Sequence, residues 1–351
     1  MKHPRSKLLV SRAISTSGPD AVRVEPILAI PAVLTELGVR PRRAFTKAGV
    51  DPQLFRDPDS RIQFEDLGRL LEACVALTGC PHFGLLVGAR FEMQRFGPLG
   101  YLMRNSATVG EALRSLLLHF HIHDRGAAPV LLSPNPSCLI LGYSIYRHRS
   151  ATSGHAQIYD GAIAIGYRIL RELCGPTWKA LRIQFSHSRP SSVVAYRRLF
   201  RSSVSFDAEV SGIVFASSWL KKPIEGADAT LHKFLDKAIR DAEADGPMSF
   251  ADQVRAALHQ LLLTGTASAE AVALQFALPE RTLRRRLAKE GTSLQKLVHQ
   301  TRFEIAQQLL ENTGLAVSEI AAALQYGDPN AFSRAFRNWA KFSPSQWRDR
   351  H

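Results

Sequence analysis

Three arginines, Arg281, Arg284 and Arg285, stand three and four residues apart near the carboxyl end of the chain. On a helix that spacing gathers them on one face. A guanidinium fork donates two parallel hydrogen bonds to a phosphate, or to O6 and N7 of guanine with a discrimination of about 1–3 kcal/mol. Thr282 adds a hydroxyl beside them. Further along, Asn330, Ser333, Arg334 and Arg337 form a second polar stripe, in which Asn330 can pair with adenine and Arg334 with guanine or phosphate. Side chains of these types suit the reading of duplex DNA. A solvated basic face would carry them too, and Arg334 is equally suited to bracing a domain. Arg286 points away from its three neighbours and suits a phosphate or an intramolecular partner.

The elements that must position these residues are two matched helix pairs. In the first, Ser268 to Glu290, the apolar positions are Val272, Ala273, Phe276, Leu278, Leu283 and Leu287. In the second they are Ile320, Ala321, Leu324, Tyr326, Phe332 and Phe336. Superposed on Ala273 and Ala321, the pairs match through Leu278 and Tyr326, after which the second turn is one residue longer. A small side chain at both alanines lets two helix backbones approach. Between the pairs, Thr292 to Asn312 reads as one helix with Leu294, Leu297, Val298, Ile305 and Leu309 inward. Some twenty residues at about 1.5 Å each make a rod of about 30 Å, against about 34 Å for one turn of duplex DNA. Such a spacer can set two recognition helices into successive major grooves. An ordinary helical bundle is the alternative, and two matched units with polar second helices argue against it.

Upstream the text is mixed. Ile27, Leu28, Ile30, Val33, Leu34 and Leu37 form one apolar face that ends at Gly38, and Phe64 to Leu77 and Thr108 to Asp124 give further amphipathic helices. Strand-like Ala128 to Leu132 and Cys138 to Tyr146 are separated by Ser-Pro-Asn-Pro. A helix spans His155 to Cys174 and stops at Gly175-Pro176, and strands follow at Leu181 to Phe185 and Gly212 to Ala216. Ala229 to Ala244 is a connecting helix, broken by Asp245-Gly246-Pro247. The expected fold is an α+β N-terminal domain followed by an all-α C-terminal domain with two helix-turn-helix units joined by a long helix. The expected divisions are a disordered tail over 1–24, an α+β domain over 25–225, a linker helix over 226–248 and a DNA-binding domain over 249–351.

The 351 residues carry a formal net charge of +14, which favours a polyanionic partner. The excess is spread along the chain, with 10 basic against 6 acidic residues in 1–60, 22 against 16 in 61–246 and 13 against 9 in 247–351. Local clusters, not net charge, must therefore locate a DNA face. No apolar run approaches the ~20 residues that cross a bilayer, so no membrane partner is expected. Cys74, Cys80, Cys138 and Cys174 form no CxxC pair and read as reduced thiols of a cytosolic protein. His119, His121 and His123 form an alternating run; on one helix, His119 and His123 would share a face and His121 would oppose them, so the three cannot converge on a metal. The run suits satisfied or surface histidines, or the lining of an effector pocket. Gly84-Leu-Leu-Val-Gly-Ala lacks the spacing of a dinucleotide loop, and Asp160 reads as a lone acid. No catalytic residue, metal or cofactor is expected.

The segment from Leu278 to Ser293, and that from Val317 to Arg348 with Ala331-Phe-Ser-Arg-Ala-Phe-Arg and Ser343-Pro-Ser, resemble the DNA-binding domain of the AraC/XylS family of bacterial transcription regulators. Phe64-Glu-Asp-Leu-Gly-Arg, Pro81-His-Phe-Gly-Leu, Gly97-Pro-Leu-Gly-Tyr101 and Ala112-Leu-Arg resemble the arabinose-binding type of effector domain in such regulators, a label that does not imply arabinose as ligand. Two features depart from the family pattern. Ala277 and Gln325 occupy turn positions where it has glycine or a small residue, and Pro279 stands where it has a Ser or Thr cap. Asp328 followed by Pro329 is a sound helix start. The resemblance implies a cytoplasmic, nucleoid-associated transcription factor, an activator that binds promoter DNA, contacts RNA polymerase, forms a homodimer and answers to an unidentified small molecule. The alternatives are a constitutive dimeric regulator and an enzyme domain fused to a DNA-binding tail.

Overall fold

The computed structural model describes residues 21–124, 127–145, 154–208, 210–244, 249–263, 267–276, 278–312 and 315–350. Residues 1–20 of the expected disordered tail lie outside these residues, as do Ala277 and the Asp245-Gly246-Pro247 break; its last four residues, Ala21 to Val24, are instead buried, and Ala21–Arg23 form a strand.

In the N-terminal part, β1 (Ala21–Arg23) pairs antiparallel with β2 (Arg61–Gln63). Helices α1 (Ile30–Glu36) and α2 (Pro41–Ala48) lie between them, and α3 (Phe64–Thr78), α4 (Phe83–Gly88), α5 (Pro98–Arg104) and α6 (Val109–His119) follow. A second sheet is built from β3 (Ala127–Asn135), β4 (Cys138–Ile145), β5 (Arg182–Gln184), β6 (Val204–Ser205) and β7 (Gly212–Ala216), in the order β3-β4-β7-β5-β6. All its pairs are antiparallel except β5 with β6. Helix α7 (His155–Cys174) crosses this sheet, and α8 (Val194–Phe200) and α9 (Ala229–Ala244) complete the unit.

Several expectations need adjustment. The apolar face read over 27–37 is a 3-10 turn at Glu25–Ile27 followed by a helix that begins only at Ile30, and Leu37 at its end is exposed. Ser133, Pro134 and Asn135 continue β3 through a bulge instead of turning it. Proline is tolerated there because β3 is an edge strand. Ile239 of α9 is fully buried in the larger N-terminal core, so this connecting helix also packs as part of the first domain, against α5.

Helices α4 and α7 meet at glycines. A Cβ built on Gly84 would fall on the Gln157 carbonyl, and one on Gly88 would fall on the Gly161 carbonyl. Only residues without side chains permit this approach, which leaves space beside the crossing instead of filling it.

The C-terminal part is helical throughout its described residues: α10 (Phe250–Leu263), α11 (Ala269–Gln275), α12 (Glu280–Lys289), α13 (Leu294–Asn312), α14 (Val317–Ala323), α15 (Pro329–Ala340) and α16 (Pro344–Arg348). It has two cores. Val254, Leu258, Val272, Ala273, Leu283, Leu287 and Leu297 form one. Leu262, Ile305, Leu309, Ile320, Ala321, Leu324, Phe332 and Phe336 belong to the other. Both α10 and α13 give their N-terminal halves to the first core and their C-terminal ends to the second. The two units are thus joined by a pair of helices, and α10 was not expected from the sequence as a second spacer. The α10 N-terminus is held by Glu290, whose carboxylate accepts from the Phe250 and Ala251 amides at 3.0 and 2.8 Å.

Candidate nucleic-acid interface and ligand cavity

The matched pairs are also matched in their turns. The Leu278 amide donates to the Ala273 carbonyl at 3.0 Å, and the Tyr326 amide donates to the Ala321 carbonyl at 2.9 Å. Both alanines are buried at the contact of their helices. Gln325 takes a left-handed conformation with φ of 61°, where glycine would be unstrained. Its side chain compensates, since Nε2 donates to the Leu262 carbonyl at 2.7 Å. That bond ties the second turn to the end of α10.

On α12, Leu283 and Leu287 are buried, Arg281, Arg284 and Arg285 are exposed, and Thr282 is half-buried at the first turn. Arg284 Nη2 lies 3.3 Å from Glu280 Oε2, so its guanidinium is shared with a neighbour one turn back. Arg281 and Arg285 make no side-chain hydrogen bond or ion pair among the described residues. Arg286 does have an intramolecular partner, stacking over the Phe250 ring at 5.4 Å. Pro279 forms the N-cap without a side-chain hydrogen bond.

On α15, Phe332 and Phe336 are buried, Asn330, Arg334 and Arg337 are exposed, and Ser333 is half-buried. Asp328 caps this helix, accepting from the Asn330 and Ala331 amides at 2.9 and 3.2 Å. Arg334 makes no side-chain hydrogen bond or ion pair among the described residues, so the bracing role open to it has no support. Bracing falls to other residues. Trp347 Nε1 donates to Glu311 at 2.8 Å, and Arg348 donates to the carbonyls of Leu310 and Leu315. Trp339 and Trp347 pack on Phe303 and are core residues.

The N-terminal domain contains a cavity of about 100 Å³. Its walls come from α3, α4, α6, α7 and the strands β3, β4 and β7, with Leu67, Val87, Leu116, Ile163, Tyr143 and Ile213 among its lining residues. The polar groups are few. Gln157 is satisfied at both ends, accepting from the Gly84 amide and donating to the Pro81 carbonyl, each at 2.8 Å. Asp124 accepts from the Tyr143 hydroxyl, and from the Ala127 amide at 3.1 Å. His123 also lines the cavity and is 1% exposed. Its Nδ1 lies 3.4 Å from Arg23 Nη1. A guanidinium only donates, so Nδ1 is the acceptor and the proton sits on Nε2. Nε2 is fully buried, and the ring is also hydrogen-bonded to the Phe96 backbone. Burial, followed by the neighbouring Arg23 and Arg61 guanidinium groups, holds the His123 pKa well below its ordinary value, against a smaller opposing pull from the Phe96 backbone.

The histidine run is therefore not one helix. Helix α6 ends at His119, a 3-10 turn covers Phe120–Ile122, and His123 lies beyond it. His119 Nε2 instead sits 3.9 Å from Asp236 of α9. No group of three or more potential metal ligands occurs among the described residues. Asp160, read as a lone acid, is corrected: it is fully buried, 3.1 Å from His187 Nε2 and 2.7 Å from the Tyr196 hydroxyl that donates to it. Burial raises its pKa, and the hydrogen bonds from His187 and Tyr196 oppose that rise. His187 and Tyr196 are far from Asp160 in sequence, so nothing local signalled this cluster.

Similarity to known proteins agrees with this architecture. Residues 38–224 match the arabinose-binding domain of AraC transcription regulators, N-terminal, and residues 272–350 match a helix-turn-helix domain. The chain is 28% identical over 317 residues to the HTH-type transcriptional regulator VirS of Mycobacterium tuberculosis, covering 90% of this chain and 93% of that one. It is 27% identical over 325 residues to the ornithine utilization regulator of Pseudomonas aeruginosa, with the same coverage. The crystal structure of the transcriptional regulator CdpR from Pseudomonas aeruginosa aligns over 88% of this chain and 96% of its own, at 24% identity and a TM-score of 0.44. With a ligand-binding domain of this type ahead of a double helix-turn-helix DNA-binding domain, the chain belongs to the AraC family of transcription regulators.

Proposed function

We propose that the protein binds promoter DNA with both helix-turn-helix units at once and activates transcription in response to a small molecule held by its N-terminal domain. The observation that carries the reading is the repeated turn geometry at Ala273–Leu278 and Ala321–Tyr326, on two units joined through α10 and α13. The 19 residues of α13 give a rod of about 28 Å. The proposed DNA contacts are Arg281, Thr282, Arg284 and Arg285 on α12, and Asn330, Ser333, Arg334 and Arg337 on α15. The proposed divisions remain 25–225 for the effector domain, 226–248 for the connection and 249–351 for the DNA-binding domain.

Support for effector control comes from where the cavity lies. Residues Pro129 of β3 and Leu141, Gly142 and Tyr143 of β4 wall it. The same two strands pack against the DNA-binding domain, β3 on α10 and β4 on α13. A molecule that favours one position of this wall would bias the helices that carry both units, which is a population shift with a defined route. The family resemblance supports a homodimer, activation through RNA polymerase, and action in the cytoplasm where the chromosome lies.

The direct test is Arg285→Ala on a specific site. Affinity is expected to fall by about 1–3 kcal/mol with relaxed preference at one base position. Unchanged affinity and preference at fixed salt would remove Arg285 from the reading set.

A further inference from the structure

We propose that an exposed strip along α8 and the start of β5, on the N-terminal domain, is a docking surface for a partner protein, and that it takes an acidic segment in which carboxylates are interspersed with apolar side chains. The strip consists of Lys179, Leu181, Val194, Arg197, Arg198 and Arg201, all exposed.

The charge is a property of the sequence. Between Glu172 and Asp207 the chain has six Lys and Arg residues and no Asp or Glu. The fold then makes the strip continuous. Tyr196 and Phe200 bury the inner side of α8, which leaves Val194, Arg197, Arg198 and Arg201 on its outer side at spacings of three and four. Beyond Arg201, the Ser203 carbonyl accepts from the Ile183 amide at 2.9 Å, and the Ser203 hydroxyl donates to the Leu181 carbonyl at 3.3 Å. That pairing brings the end of α8 beside Leu181, two residues after Lys179. Among the described residues, none of Lys179, Arg197, Arg198 and Arg201 makes an ion pair. Leu181 is 54% and Val194 64% exposed, so two apolar side chains stand in water among these cations.

Charge complementarity asks for an anionic partner, and the apolar residues decide which kind. A phosphodiester backbone meets cations but offers nothing to cover Leu181 and Val194. A peptide that carries carboxylates and apolar side chains together covers both, with arginine as the residue best suited to such a contact. The place of the strip agrees. Strands β3 and β4 pack on the DNA-binding domain, whereas β5 and β6 lie at the other end of the sheet. Four strand spacings of about 4.8 Å put the two edges about 19 Å apart. The strip therefore faces a partner other than the duplex held by α12 and α15.

The experiment is fluorescence anisotropy of the full chain with a labelled peptide of repeated Glu-Glu-Leu, at fixed salt and with saturating random-sequence duplex present to occupy the DNA-binding domain. Peptides of repeated Glu-Glu-Ser and Lys-Lys-Leu are the controls. The Glu-Glu-Leu peptide is expected to bind with the duplex in place, Glu-Glu-Ser more weakly and Lys-Lys-Leu not at all. Arg197→Glu combined with Arg198→Glu is expected to weaken the Glu-Glu-Leu peptide by about tenfold or more, and the corresponding pair of Gln substitutions by less. Leu181→Ser combined with Val194→Ser is expected to weaken it by about threefold. Arg42→Glu combined with Arg43→Glu makes the same charge change on the exposed face of α2 and is expected to leave it unchanged. Duplex affinity, measured for every variant, is expected to stay at the wild-type level and reports a folded chain. The proposal is overturned if the duplex displaces the peptide, which would make the strip a phosphate-binding face or the peptide a ligand of the DNA-binding domain. It is also overturned if no peptide binds, if Glu-Glu-Ser binds as tightly as Glu-Glu-Leu, if Lys-Lys-Leu binds, or if the charge reversals on α8 and α2 have equal effects.

Discussion

Arg284 shows how the interface is tuned one residue at a time. Glu280 stands one turn before it and shares its guanidinium at 3.3 Å, with both side chains largely exposed. Exposed pairs of this kind contribute little to stability, but the carboxylate lies on the helix face proposed to meet DNA. Glu280→Gln is therefore expected to tighten DNA binding by roughly two- to fivefold and to steepen its salt dependence, as read by fluorescence anisotropy across a salt series. Weaker binding by the variant would show that Glu280 itself contacts a base. Residue-scale reasoning also gives a pH dependence. His123 is buried as the neutral ring, with its pKa well below the ordinary value of 6.5. The unfolded chain takes up a proton near pH 6.5 that the folded chain refuses, so this contribution is complete above that pH and is lost as pH falls through it. His123→Phe removes the uptake. Denaturant melts are expected to show the stability of the wild type falling relative to this variant below about pH 6.5, and parallel curves would contradict the neutral-ring assignment. The arginines and the histidine run were both visible in the sequence. That only His123 of the run reaches the cavity was not, because the break in α6 after His119 has no glycine or proline to announce it.

At the scale of elements, legibility followed length and punctuation. Helix α7 runs from His155 to Cys174 as its pattern predicts, because Gly154 and Gly175 bracket it with left-handed or extended glycine geometry. Strand β7 and helix α9 also keep their expected ends. The short helices α5 and α8 were not legible, since seven residues hold less than two turns of periodicity. The cavity was not legible at all: its walls come from segments between Val22 and Ile213 that only the sheet order brings together. The departures from family pattern have different outcomes at this scale. Pro279 leaves the start of α12 without a side-chain cap, whereas Asp328 caps α15 with two hydrogen bonds. Gln325 holds a strained turn with a side-chain bond to the end of α10. Gln325→Ala keeps the strain and loses the bond, so urea unfolding should show a loss of about 1 kcal/mol. Gln325→Gly loses the bond but relieves the strain, and is expected to fall close to the wild type. Equal losses in both variants would mean that the left-handed turn carries no strain.

At the scale of the whole molecule, two units share a pair of spanning helices, and the strands that wall the cavity pack on that pair. The second spanning helix, α10, alters the sequence-based picture of one rod. Two helices resist bending better than one, and each delivers apolar residues to both cores. If the joint is rigid, the separation of the proposed recognition helices is fixed, and the DNA must match it. The most direct measurement places the protein on operator variants in which base pairs are inserted between the two half-contacts. Insertion of about five base pairs rotates one contact to the far side of the duplex. Affinity is then expected to fall toward the level of a single unit, with footprint protection lost in one of two adjacent major grooves. Full affinity with both grooves still protected would contradict a rigid two-pronged reader.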